Sequence, residues 1–418
     1  MQYNSRLIGA IALMATSAMA AEPGAPNISE RPVFTFSGFG TLGAVHSSER
    51  DADFTTHVFK PNGAGASHDW SFAPDSLLGG QVNARFGPRL SAVLQVVAEQ
   101  RYDKTWRPQA EWANLKYQFT PSFSARIGRI ALPGFLAADY RKVGYAIPWV
   151  RAPRDVYLLG PVTSNDGIDA SHTIAVGEGN NTLQAYYGRK DIRSTYQDGD
   201  PILARDSFGI VDTLEVGPLT LRAGYQTGRM SMGSSKDFFD RVRQFGSAGG
   251  QLADRYDLWD KTYRLMSFGG NIDQGRWFLT TEWAQLKTNS WAGDGQAWYA
   301  GAGYRIGHVT PFASVSRVRL TSPASDPGLP VASLPAFLRP ATQQANGVLD
   351  SLLGAIIPDQ RTLSAGMRWD AAKNTAVKVQ VDHMDLSTGS GGALKNLLPG
   401  FSPGGQVNLF TVSVDFVF

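Results

Sequence analysis

Two kinds of connection alternate along this chain, and that alternation limits its fold more than any single motif does. Sixteen segments carry period-two patterning, apolar on one side and polar on the other, the mark of a strand with one greasy face. In "SLLGGQVNARF", Leu78, Gly80, Val82, Ala84 and Phe86 oppose Gln81, Asn83 and Arg85. "RLSAVLQVVAEQR" repeats the arrangement with Leu90, Ala92, Leu94, Val96 and Ala98 against Ser91, Gln95 and Glu99. The first segment spans 33–46 and the last 405–418. Some neighbours are joined only by Gly87-Pro88, Thr120-Pro121, Gly217-Pro218 or Gln274-Gly275, which read as turns. The others are joined by longer stretches, above all 47–75, 132–165, 230–261 and 321–360. Short and long alternate throughout, so antiparallel strands would carry every short turn, and both termini, at one end. A soluble sandwich has no reason for that sorting. Outer-membrane barrels combine an even strand number with short periplasmic turns and long external loops. The expected fold is all-β, a 16-stranded antiparallel transmembrane β-barrel over residues 33–418.

The last segment, "VNLFTVSVDFVF", sharpens the expectation. Phe410, Val412, Val414, Phe416 and Phe418 are apolar, whereas Thr411, Ser413 and Asp415 between them are polar. Hydrocarbon tolerates no unpaired backbone edge, so the sheet must close and this segment must pair with "VFTFSGFGTLGAV". Its apolar row would face lipid and its polar row a wet interior. Phe34, Phe86, Phe119, Phe123, Trp277, Tyr304, Trp369, Phe416 and Phe418 fall near the short-turn ends, as an interfacial girdle requires. At the other end, "MQYNSRLIGAIALMATSAMA" has one cation, Arg6, an apolar stretch and the small-residue pattern Ala18-Met19-Ala20. It reads as a secretory signal peptide over 1–20, with 21–32 as a lead segment, and implies export to the bacterial outer membrane. The chain has no cysteine and no run of eighteen apolar residues, so neither a disulfide framework nor a spanning helix is on offer. Its 39 basic residues are dispersed among 36 acids, and no nucleic-acid partner is expected.

A signal peptide, sixteen alternating segments, a long third loop and a terminal Phe together resemble the Gram-negative porins over nearly the whole chain. The resemblance implies a barrel folded in outer-membrane lipid, commonly a homotrimer, that passes small hydrophilic solutes without cofactor or chemistry. It implies that the third loop, 132–165, bends inward as a constriction. It also implies that the last strand, with Phe416 and Phe418, is the signal read by the barrel-insertion machinery. General porins often carry a "PEFGG"-like motif in that loop; here it reads "LPGFLAADYRKVGYAIPWVRAPRDVY".

Candidate pore-lining residues follow from parity and height on the strands and from this loop. Arg126, Arg222 and Lys378, with Glu282 and Asp382, are expected inward at mid-height. The loop adds Arg141, Lys142, Arg151 and Arg154 against Asp139 and Asp155. In a narrow low-dielectric tube such charges act on passing ions; the alternative is that they pair in the wall and only keep the lumen wet. The positive excess predicts a weak anion preference, and the dominance of Arg suits bidentate contact with carboxylates, so small organic anions are the expected favoured solutes. Competing readings are a substrate-specific channel for organic anions, a barrel-wall enzyme and a structural barrel plugged by its loops. "GFGTLG" at 38–43 matches G-x-G-x-x-G but lies inside an alternating segment with no helical period after it, so its glycines read as easing a curved wall. The six histidines show no metalloprotease spacing, and no metal or cofactor is expected. Within the seventh loop, Leu349, Leu352, Leu353 and Ile356 have helical spacing, for a helix that covers the mouth or packs on it.

Overall fold

The computed structural model describes residues 31–195, 199–323, 325–355 and 358–418. The signal peptide expected over 1–20, most of the lead segment and Ile356 lie outside the described residues. The first half of the wall is β1 (Val33–Ser47), β2 (Leu77–Phe86), β3 (Leu90–Glu99), β4 (Gln109–Gln118), β5 (Phe123–Ala131), β6 (Ser164–Val176), β7 (Gly179–Arg193) and β8 (Pro201–Val216). The second half is β9 (Leu219–Met232), β10 (Lys261–Asp273), β11 (Trp277–Lys287), β12 (Gly295–Tyr304), β13 (Val309–Leu320), β14 (Gln360–Ala372), β15 (Thr375–Leu386) and β16 (Gln406–Val417). Each strand pairs antiparallel with the next. The last returns to the first in a register running from Phe39↔Val417 to Ser47↔Leu409, so the sheet is a closed sixteen-stranded barrel. No helix among the described residues is long and apolar enough to cross a membrane.

Alternation decides the faces. Leu78, Leu94, Ile127, Leu183 and Phe268 stand exposed on the outside, while Gln81, Gln95, Asp169 and Glu282 are buried inside. The short turns use left-handed residues where the chain must reverse within two or three positions, as at Gly217 (φ +54°) and Gly275 (φ +79°). Seam closure explains the glycines of the first strand. Gly38 and Phe418 exchange backbone hydrogen bonds of 2.9 and 3.0 Å. A Cβ at Gly38 would lie 2.1 Å from the Phe418 ring, and one at Gly40 2.4 Å from the Phe416 ring. Both glycines are thus seats for aromatic rings on the neighbouring strand.

Three expectations need correction. Period-two alternation in the sequence runs over 181–189 and 206–215 and predicts short strands there, but β7 and β8 extend to 179–193 and 201–216. Register shifts at Gly188/Lys190 and Arg205/Phe208, with Asp206 at φ +47°, break the two-residue period while the pairing continues. The third loop ends at Thr163, where β6 begins, rather than at 165. Thr411, Ser413 and Asp415 face inward as expected, but they are at most 1% exposed rather than wet, because the third loop lies over them.

The third loop carries one helical turn, α1 (Arg154–Tyr157). The fifth carries α2 (Gly233–Arg243) and α3 (Gly246–Tyr256), and the seventh carries α4 (Arg339–Ala355) at the helical spacing read from the sequence. Leu349 and Leu353 of α4 bury against Phe239, Leu252, Tyr256 and Trp291, so this helix packs onto the fifth and sixth loops. A nitroxide at Val82, Leu94 or Val379 in vesicle-embedded protein is expected to show lipid-like oxygen accessibility, and one at Gln81, Gln95 or Gln380 to be shielded from oxygen. Reversed accessibility would refute the registers.

Candidate functional site

A sixteen-stranded wall encloses more space than its own side chains fill, and the third loop enters that space. Pro148, Pro153 and Pro161 keep it from forming a long helix, and its apolar residues supply a core of their own. Phe135, Val156, Tyr157 and Leu159 bury against Leu265, Ala284, Tyr299 and Val318 of the wall. Trp149 sits edge-on to Phe278 and Phe312, with ring centroids 5.6 Å from each.

Irregular backbone inside a barrel needs hydrogen-bond partners, and the wall provides them from charged and amide side chains. Lys378 is fully buried; its Nζ donates to the carbonyls of Gly144 and Trp149 at 2.7 and 2.8 Å and meets Asp415 at 2.8 Å. Arg368 donates to the carbonyls of Tyr145 and Ile147 at 2.7 and 3.2 Å, and Arg222 to that of Phe135 at 2.6 Å. Glu282 accepts from the Leu136 N–H at 2.8 Å and from the hydroxyls of Tyr157 and Tyr299 at 2.7 and 2.8 Å. The Gln380 side-chain oxygen accepts from the Val150 N–H at 3.0 Å. Asp155 accepts from Ser316 at 2.6 Å and Gln360 at 2.8 Å. Arg151 donates to Asp75 at 2.6 and 2.8 Å, to Asp382 at 3.0 Å and to Thr411 at 2.8 Å.

These contacts redistribute the residues expected to line a pore. Lys378, Glu282 and Asp382 are inward-facing but at most 4% exposed, and their contacts fasten the loop. The loop's own need for hydrogen-bond partners is the reason. Arg126 lies on the wall in a forked pair with Asp169, and Asp139 is 4.0 Å from Arg222. Phe416 and Phe418 stack outside the barrel at the seam and belong to no lumen site.

Arg141, Lys142, Arg151 and Arg154 come together on one side. They border a cavity of about 310 Å³ that is walled by strands β1 to β7, the first loop and the third loop. Nine basic side chains face it against four acidic ones, Asp75, Glu99, Glu111 and Asp191. Lys142 bridges Glu99 and Glu111 at 2.5 and 2.8 Å; burial works against its charge, but the two carboxylates outweigh that and hold its pKa above the ordinary lysine value. Burial pulls Arg154 down to about 10, which leaves it charged at neutral pH. His57 of the first loop, half-buried at the cavity edge, is pushed down to about 3 by desolvation and is neutral.

Several members of this cavity escaped the sequence reading. Glu99 stood on the polar face of its segment, but its partner Lys142 is 43 positions away. Arg129 sits at the lipid-facing parity of β5, yet it borders the cavity, because Gly128 at φ +123° interrupts the alternation. Gly128, Gly167 and Gly188 stand in register across β5, β6 and β7. A Cβ at Gly167 would lie 2.0 Å from the Tyr187 carbonyl oxygen, so only glycine lets the wall pinch there, next to Arg129 and Lys190.

No protein-family model matches the chain, and no curated protein matches it in sequence. Solved structures do match. The outer membrane channel DcaP of Acinetobacter baumannii superposes with a TM-score of 0.57 at 12% identity, over 93% of this chain and 97% of that one. The anion-selective porin from Comamonas acidovorans gives 0.53 at 14% identity, over 93% and 100%. OmpF of Salmonella typhi, in complex with daunomycin, gives 0.53 at 14%, over 92% and 97%. At these identities the likeness is one of fold: the chain shares the closed sixteen-stranded barrel of these structures.

Replacing Lys378 by Met removes the donor from two loop carbonyls and leaves Asp415 buried without its ion. The expected loss is about 3–5 kcal/mol in urea unfolding from lipid vesicles, the usual cost of breaking a buried pair from one side. The double variant Lys378→Met, Asp415→Leu is expected to recover a large part of it; strictly additive losses would show that the two side chains are not coupled.

Proposed function

We propose that this chain is a porin-type channel of the bacterial outer membrane through which small hydrophilic solutes, anions in preference, cross passively. The observation that supports this reading most is the cavity beside the inward-folded third loop, with nine basic side chains against four acidic ones. A fixed positive excess in a tube with low-dielectric walls concentrates anions and repels cations. The preference is weak, because Lys142, Arg129 and Arg151 are each neutralised by carboxylates at 2.5–3.0 Å and because salt screens exposed charges beyond about 8 Å at physiological ionic strength. The likeness to an anion-selective porin and to an outer membrane channel agrees with this reading.

The outer apolar band and its aromatic girdle suit outer-membrane lipid, and three copies would pack side by side as in trimeric porins. The Phe416 and Phe418 pair on the last strand is the element that the insertion machinery would read. A plugged barrel is the second reading, favoured by the loop's attachments to strands as far apart as β3 and β14.

Reversal potential across a planar bilayer in a salt gradient tests the reading. The wild type is expected to conduct with a modest anion preference. Lys142→Gln leaves Glu111 without its cation and Glu99 with only Lys60, 3.9 Å away, and is expected to move the potential toward cation preference. Cation preference in the wild type would overturn the anion claim, and absence of any conductance would favour the plug.

A further inference from the structure

Five of the basic side chains around the cavity, Arg101, Arg141, Arg154, Lys190 and Arg193, have no carboxylate within ion-pair distance among the described residues. Four of them are held by dipoles instead. Arg141 donates to the carbonyls of Gly160 and Pro161 at 3.0 and 2.9 Å, and Lys190 to the Ser164 hydroxyl at 2.7 Å. Arg193 donates to the Gly199 carbonyl at 3.2 Å, and Arg154 to that of Ala393. A carbonyl or hydroxyl fixes the geometry of a cation without cancelling its charge. The three carboxylates nearest the third loop are already engaged, Glu99 and Glu111 with Lys142 and Asp75 with Arg151. An entering anion therefore meets oriented cations, the half-buried Arg141 and Lys190 among them, that need little reorganisation to receive it.

Among the uncharged lining, Thr56, Gln100, Gln109 and Thr163 are polar, and an apolar set stands beside them. Phe59, Leu77, Val97, Val150 and Val162 border the same space. Such surface gives an inorganic ion nothing, but it shelters a hydrocarbon body from water. The volume, about 310 Å³, lies at the lower end of the range for small-molecule sites, roughly 300–1,000 Å³.

We propose that this cavity is a saturable binding site for a small organic anion with a carboxylate head and an apolar body. The inference rests on the channel reading in assigning the cavity to the solute path, and it adds a discrete site, built on Lys190, Arg193 and Arg141, to a diffuse preference. Passage of the favoured solute would then saturate with concentration, where simple diffusion rises linearly.

Calorimetric titration of the full chain, folded in detergent, with benzoate and with acetate tests the site without relying on conduction. The expected result is one benzoate bound per chain and acetate binding at least about tenfold more weakly, since it lacks the ring that the apolar lining would cover. Lys190→Gln and Arg193→Gln are each expected to weaken benzoate severalfold. Arg193 is exposed at the rim, so its variant keeps the test open if Lys190→Gln fails to fold. Benzoate heats that do not saturate, equal affinity for acetate and benzoate, or binding indifferent to both substitutions would each overturn the proposal. Failure of the channel reading would register separately, as absence of bilayer conductance in a protein that still binds benzoate.

Discussion

Backbone hydrogen bonding in oil governs this molecule. Each unpaired N–H or C=O in hydrocarbon costs several kcal/mol, so a strand wall facing lipid is stable only without an edge. The seam between β16 and β1 removes that edge, from Phe39↔Val417 through Ser47↔Leu409, with Gly38 and Phe418 closing the last exchange. The rest follows from closure. Outward positions can be Leu, Ile and Phe because their solvent is apolar, glycines on the first strand leave room for the final rings, and the lumen becomes a separate compartment with its own chemistry.

The same rule operates inside. A loop within the barrel carries peptide groups that water cannot fully serve, and the wall answers with side chains. Lys378, Arg368 and Arg222 donate to loop carbonyls, while Glu282 and Gln380 accept from loop N–H groups. Buried charge on the wall is therefore largely structural. The cations left without a carboxylate and held by carbonyl or hydroxyl partners are Arg141 and Arg154 of the loop and Lys190 and Arg193 of β7. The third loop thus both narrows the lumen and decides which cations stay uncompensated.

Much of the wall was legible in the sequence, because alternation and turn chemistry are local. Gln81 against Val82, or Gly217-Pro218 as a reversal, needs only a few neighbouring residues. The lengths of β7 and β8 were not legible, since bulges at Gly188 and Asp206 break the period while pairing continues. Of the candidate site, the positive third loop was visible as composition, but the roles of its partners were not. Lys378 meets Gly144 across 234 positions, and Arg151 meets Asp382 across 231. Inward parity alone does not distinguish a charge that faces solute from one that holds a loop carbonyl.

The central claim is that residues of the third loop occupy the lumen and set its opening. Single-channel conductance, compared between the wild-type chain and one in which 134–160 is replaced by a short glycine linker, tests it most directly. The account predicts a conducting wild type and a severalfold larger unit conductance in the replaced chain, with part of the anion preference lost along with Arg141, Lys142, Arg151 and Arg154. Equal unit conductance in two well-folded barrels would contradict it.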